Sequence, residues 1–267
     1  METSKNPLNI PVAIIVAGFL IAIAVFLRGD GLPPAYEKQP APQIAQEPTA
    51  ITLRPFDAVR DHLRGNPEAD IMFVEFSDTE CPFCKRFHMT MLQVMNDYGK
   101  SGKVSWVYRQ FPIVQLHSKA PKESEALECA ATLGGNTAFW NYADKIFTLT
   151  NSNDSLDSAA LPQIAKDVGL EVKAFENCLS SGQMTARVQE DIADGRAAGV
   201  EGTPHSVLVL KKPISDEARK NLLALMEPFR DGRGSLPTNV STDGRRVSLN
   251  GAFPYSAVKA IIDILLK

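Results

Sequence analysis

Apolar positions change character three times along the chain. Ile10 to Leu27 is an unbroken run of 18 uncharged residues between Lys5 and Arg28. At about 1.5 Å per helical residue it reaches roughly 27 Å, near the hydrocarbon thickness of a bilayer. A cleaved signal has a shorter apolar part, about 7–15 residues, ending at a small-x-small site. Here Leu27 runs directly into Arg28-Gly29-Asp30. Residues 1–28 are therefore predicted to be an uncleaved signal anchor, one transmembrane helix. Under either reading the rest of the chain leaves the cytoplasm. Residues 29–50 carry Pro33, Pro34, Pro40, Pro42 and Pro48 without apolar periodicity, the pattern of an extended spacer.

From Ile51 to Lys267 the pattern is that of one globular α/β domain. Pro55 to Leu63 predicts a short amphipathic helix with Phe56, Val59 and Leu63 on one face. Ile71 to Phe76 is a near-continuous apolar run, as a buried central strand requires. Pro82 to Tyr98 has helical spacing and stops at Gly99; Val104 to Tyr108 is a second strand. Only helical patterning follows, from about Ser118 to Val200, broken near Gly134-Gly135, 151–155 and Gly169. Val207 to Leu210 and Val247 to Leu249 are strands, and Tyr255 to Leu266 is a closing helix. Strands, a helical block and strands again imply a mixed sheet with an all-helical insertion, about 113–183. Residues 214–244 form an extra segment: a helix over Ala218 to Met226, then a Gly/Pro/Asn-rich loop with no assignable role.

Composition narrows the function. With 28 basic against 31 acidic side chains the net charge is −3, and no basic run offers a nucleic-acid surface. Four cysteines in 267 residues are too few for a disulfide-stapled scaffold, so each needs its own account.

Cys81-Pro82-Phe83-Cys84 follows the central strand and opens a helix. Two intervening residues on a first helical turn bring the sulfurs within bonding reach. At the cap, Cys81 meets free N–H groups and the positive end of the helix dipole, which favour thiolate. Pro82 suits the first helical position. Cys81 is the candidate nucleophile and Cys84 the resolving thiol. A plain staple is the weaker reading, because so short a loop removes little unfolded-state entropy. Half a zinc site lacks its second paired motif, since His62, His88, His117 and His205 are scattered. No metal or cofactor is expected. Glu75 interrupts the apolar strand; a buried carboxyl has a raised pKa, which suits it to exchange a proton with Cys84. The alternative is an exposed edge position. Gly202-Thr203-Pro204-His205 precedes another strand, and Pro204 is a candidate for a cis peptide bond. Lys85, Arg86 and His88 are read as a solvated face, His205 as an exposed strand start, and Trp106, Phe139 and Trp140 as core.

Together these residues resemble the DsbA-like thiol–disulfide oxidoreductases of the thioredoxin superfamily. Val74 to Cys84 resembles the family's strand-to-active-helix segment, with Glu75 where members keep a buried acid. Gly199 to Pro204 resembles the loop whose proline is cis. Arg109-Gln110-Phe111-Pro112, the helix around Glu128-Cys129-Ala130, and Asn250 to Tyr255 resemble further family segments. The resemblance covers 51–267 apart from 214–244. It implies a thioredoxin-like fold with an inserted helical subdomain, and oxidation of reduced secreted proteins through a mixed disulfide on Cys81. Clients would bind along Thr203 and Pro204 and against Pro82 and Phe83. A membrane quinone-linked oxidase, of the DsbB or vitamin-K-reductase-like type, would restore the disulfide. The protein would work as a monomer on the extracytoplasmic side of the cell membrane. In such a setting Cys129 and Cys178 form a structural disulfide or stay as two buried thiols. A disulfide isomerase or reductase, or a tethered metal or thiol carrier, are the competing functions.

Overall fold

The computed structural model describes residues 50–267. The predicted signal anchor, and all of the Pro-rich spacer except Ala50, lie outside the described residues. Among the described residues no helix is long and apolar enough to cross a membrane.

The sheet has six strands in the order β1-β3-β2-β4-β6-β5. They are β1 (His62–Arg64), β2 (Ile71–Ser77), β3 (Val104–Gln110), β4 (His205–Leu210), β5 (Thr238–Val240) and β6 (Arg246–Asn250). β2 pairs parallel with β3 and antiparallel with β4, and all seven of its residues are buried. That explains its lack of alternation, because both faces meet protein. Ile71 and Phe73 join a large core with Trp106, Leu208 and the helices described next, whereas Met72, Val74 and Phe76 join a smaller one with Val107, Val188 and Ile192.

The helices are α1 (Pro82–Val94), α2 (Ala120–Leu149), α3 (Ala160–Asp167), α4 (Val172–Ser181), α5 (Thr185–Ala197), α6 (Asp216–Met226) and α7 (Tyr255–Leu265). α1 buries Cys84, Phe87, His88, Met91 and Val94, then loosens into a π-helical turn, Met95–Gly99. α2 is broken at Gly135, whose φ of 69° and ψ of −167° leave helical space. Helices α2 to α5 lie between β3 and β4, so the predicted insertion is present and runs on through α5. Cys129 on α2 is bonded to Cys178 on α4, 49 residues later. Closing such a loop is worth about 4 kcal/mol in the chain-entropy account.

Two local expectations are corrected. Pro55 to Leu63 is not a helix. A single turn over 57–60 leads into β1, which pairs antiparallel with β3. Two ion pairs and a hydrogen bond hold it there: Asp61 accepts from Arg54 (2.8 Å), from the buried Arg109 (3.0 Å) and from the Asp57 N–H (2.9 Å). Val59, expected on an apolar face, is 99% exposed. The 214–244 loop contains a strand, β5, which extends the sheet beyond β6.

Candidate redox site

The site forms where β2 turns into α1. Asp78 organises that turn. Its carboxylate accepts from the Ile113 N–H (2.7 Å), His117 Nδ1 (2.9 Å) and the Glu80 N–H (2.9 Å), while its own N–H points at Cys84 Sγ (3.4 Å). Cys81 is the N-cap of α1 in extended backbone conformation (φ −77°, ψ 122°) and Pro82 follows at the first helical position. Lys85 N–H donates to the Cys81 carbonyl at 3.0 Å, closing the first turn.

The two thiols differ although they are neighbours. Hydrogen bonding from Cys84 leads the effects on Cys81. With the Cys84 and Phe83 N–H groups and the Thr203 side chain it outweighs burial and lowers the pKa to about 6. Cys84 is fully buried, and burial, then Cys81 and Glu75, push it well above the usual thiol value. Glu75 is also fully buried. Burial raises its pKa to about 7, against the pull of Ser77 and of Trp106, whose indole N–H donates to Oε2 at 2.8 Å. Glu75 therefore does not occupy an exposed edge.

The Thr203–Pro204 peptide bond is cis, and the Cys81 thiol donates to the Thr203 carbonyl at 3.4 Å. The loop between α5 and β4 thus meets the start of α1. Phe83 is 52% exposed, with the Arg86 guanidinium 4.9 Å from its ring centre; Pro82 is half-buried. Val114 and Leu116, just past the Ile113 that Asp78 holds, are exposed as well.

Both histidines read as surface groups are buried. His88 is bonded to Asp144 (2.8 Å) and stacked on Phe147, where α1 meets α2. Among the described residues neither ring nitrogen of His205 has a hydrogen-bond partner, and burial lowers its pKa to about 4. Strand alternation puts it with Val207 and Val209, on the face opposite α1. Lys85 also departs from a purely solvated role, since its amine donates to the Thr150 carbonyl.

Sequence reasoning missed Asp78, Glu80 and His117 as parts of the site. Glu80, next to Cys81, is buried and accepts from Thr150 Oγ1 (2.9 Å) and from the N–H groups of Ser155 (3.1 Å) and Leu156 (3.2 Å). Its carbonyl accepts the Asn153 N–H at 2.8 Å. The gripping loop holds Ser152, Asn153 and Asp154 in the left-handed region, with φ of 69°, 56° and 62°. The available signal was Asn151-Ser152-Asn153-Asp154-Ser155 itself, a run of residues that tolerate that region better than most. Among the described residues no group of three or more His, Cys, Asp or Glu side chains is placed to hold a metal ion.

Residues 57–224 match the family model described as thioredoxin. Among solved structures the fold is similar to that of BdbD from Bacillus subtilis, with a TM-score of 0.59 and 15% identity over 82% of this chain and 99% of that one. It is also similar to DsbA2 of Pseudomonas aeruginosa, with a TM-score of 0.54 and 23% identity over 79% and 96% of the two chains. A curated relative, the Na(+)/H(+) antiporter NhaA 1 of Mycolicibacterium gilvum, is 31% identical over 192 residues. That stretch is 71% of this chain but only 28% of the antiporter, so the chain spans about a quarter of that relative's length. The α/β architecture, its mixed sheet and the matched residues agree: the chain belongs to the thioredoxin family.

Proposed function

We propose that the protein is a thiol–disulfide oxidoreductase that forms disulfides in reduced secreted proteins. The observation that carries this reading is the asymmetry of the two sulfurs. One thiol at a helix cap ionises near pH 6, while its buried neighbour resists ionisation. With Cys81 and Cys84 joined, a client thiolate attacks the Cys81 sulfur and Cys84 leaves. Glu75, whose pKa is near 7, gives the leaving sulfur its proton. A second client thiolate then displaces Cys81, which departs readily because its thiolate is stabilised. The backbone beside cis-Pro204 suits an extended client of any sequence, and Phe83, Val114 and Leu116 supply apolar contact.

The same proposal includes a single N-terminal anchor, work on the extracytoplasmic side of the cell membrane, and reoxidation by a quinone-linked membrane oxidase. The 18-residue apolar run supports the anchor, and the Cys129–Cys178 disulfide suits an oxidising compartment. The ion transport named for the antiporter relative is not carried over to this chain.

A redox titration of the full-length protein, paired with client oxidation by the wild type and by Cys81→Ser, tests the reading. A potential toward the oxidising end, near about −120 mV, and loss of oxidation in Cys81→Ser are expected; a potential near about −270 mV would make it a reductase.

A further inference from the structure

A carboxyl that gives and takes a proton in every cycle needs a route to water, and Glu75 has no exposed surface. The strand register supplies one direction. Glu75 lies opposite Tyr108, and Tyr108 lies opposite His62, so one row crosses from the central strand to the edge strand β1. Ser77 opposite Gln110 forms a second row beside it. The Ser77 hydroxyl sits near both the Glu75 carboxyl and the Tyr108 hydroxyl. Along this stretch Glu75 Oε1, Ser77 Oγ, the Tyr108 hydroxyl and Gln110 Oε1 are all buried, and among the described residues none of them makes a well-formed hydrogen bond. Buried orphans are rare singly, and four side by side make a polar strip suited to bridging water.

At its far end the strip meets a cluster of hydrogen bonds and ion pairs. Gln110 Nε2 donates to Glu128 (3.0 Å), which also meets His62 Nε2 (2.9 Å) and Arg187 Nε (3.1 Å). Burial would raise Glu128, but His62, Arg187 and Gln110 outweigh it and hold the pKa at about 2. Glu128 is thus a fixed anion that orients Gln110 and His62. Asp78, the other carboxylate beside Cys84, is no such relay, because both its oxygens are occupied.

We propose that the row Glu75, Ser77, Tyr108, Gln110 and His62 is a proton path joining Cys84 to solvent at the β1 edge, with the Ser77 and Tyr108 hydroxyls as relays. The inference rests on the proposed function. The client thiolate's electron pair forms a bond to Cys81 Sγ, the Cys81–Cys84 bond breaks, and its pair leaves on Cys84. Glu75 passes its proton to Cys84 and becomes a carboxylate. Each hydroxyl then gives one proton toward Glu75 and takes one from its outer neighbour, so one proton enters from water past His62, which at 7% exposure lies just beneath the surface. The hydroxyls end unchanged, and the disulfide is the only oxidant.

Trp106, bonded to Glu75, gives a fluorescence readout. The oxidised full-length protein is mixed with dithiothreitol in light and heavy water, for the wild type and for Tyr108→Phe, Ser77→Ala, His62→Gln and Glu75→Gln. Each path variant is expected to slow reduction about 10-fold above pH 7 with a larger solvent isotope effect, and imidazole or formate should restore the rate. Unchanged rates and isotope effects in Tyr108→Phe, Ser77→Ala and His62→Gln, while Glu75→Gln is slow, would overturn the path and leave the oxidoreductase reading standing. A loss that the small buffers do not restore, in variants of unchanged melting temperature, would overturn it too. A wild type whose reduction does not depend on Cys81 would instead remove the functional reading itself.

Discussion

The two cysteine pairs use the same atoms for opposite ends. Cys129 and Cys178 lie 49 residues apart on two helices and are bonded, so their link ties the insertion together. Cys81 and Cys84 share one helical turn, so a bond between them constrains almost nothing. What distinguishes the second pair is its electrostatics: cap N–H groups and Thr203 at one sulfur, burial and Glu75 at the other. Loop length decides which pair can staple, and local charge decides which can react.

The sharpest way to break the comparison is to exchange the losses. Cys81→Ser is expected to lower client oxidation by at least about 10³-fold with little change in stability, measured by turnover and by thermal melting. The Cys129→Ser/Cys178→Ser double variant is expected to do the reverse. It should lose about 2–5 kcal/mol in denaturant unfolding while the remaining folded protein keeps its redox chemistry. Equal effects of the two changes on activity would erase the distinction.

Glu75→Gln comes next. Oxidation at pH 7 should fall about 10²-fold. The carboxyl's folded pKa is raised, so its contribution favours the folded state below the unfolded value of 4.5 and is lost as pH rises through about 7. Across that window the wild type should lose up to about 3 kcal/mol that Glu75→Gln does not, by denaturant titration at pH 4.5 and 7.5. Cys81 works the other way in the reduced protein. Its lowered pKa contributes stability above the ordinary thiol value, and that contribution disappears as pH falls through about 6. The smallest effect belongs to Phe83→Ala, which should stay within about 0.5 kcal/mol in stability and show itself as a raised KM for clients.

What could be read in the chain was what local chemistry decides. β2 declares itself through the near-continuous apolar run Ile71 to Phe76, and Cys81-Pro82 through the demands of a helix start. The residues misread were settled by partners distant in sequence. Pro55 to Leu63 has helical spacing, yet Arg109 and Asp194, far along the chain, fix Asp61 and Arg54 and hold the segment extended. His88 looks like one more polar group beside Lys85 and Arg86 until α2 brings Asp144 against it. β5 has only three residues and no alternation long enough to register, so β6 alone defines it. Asp78 and Glu80 show no role in the sequence, because most of the groups that fill their oxygens come from residues 113 to 156.

The grip of residues 150–156 on Glu80 bears on the order of events at the ribosome. Three consecutive side-chain-bearing residues in the left-handed region cost about 1–3 kcal/mol each unless something outside the loop compensates. That compensation comes from the residue beside Cys81, and the peptide preceding Cys81 is in turn steadied by the loop. Neither half is complete alone. During synthesis, therefore, the Cys81 sulfur acquires its finished surroundings only after the loop that grips Glu80 has emerged and, 122 residues beyond Cys81, Thr203 as well.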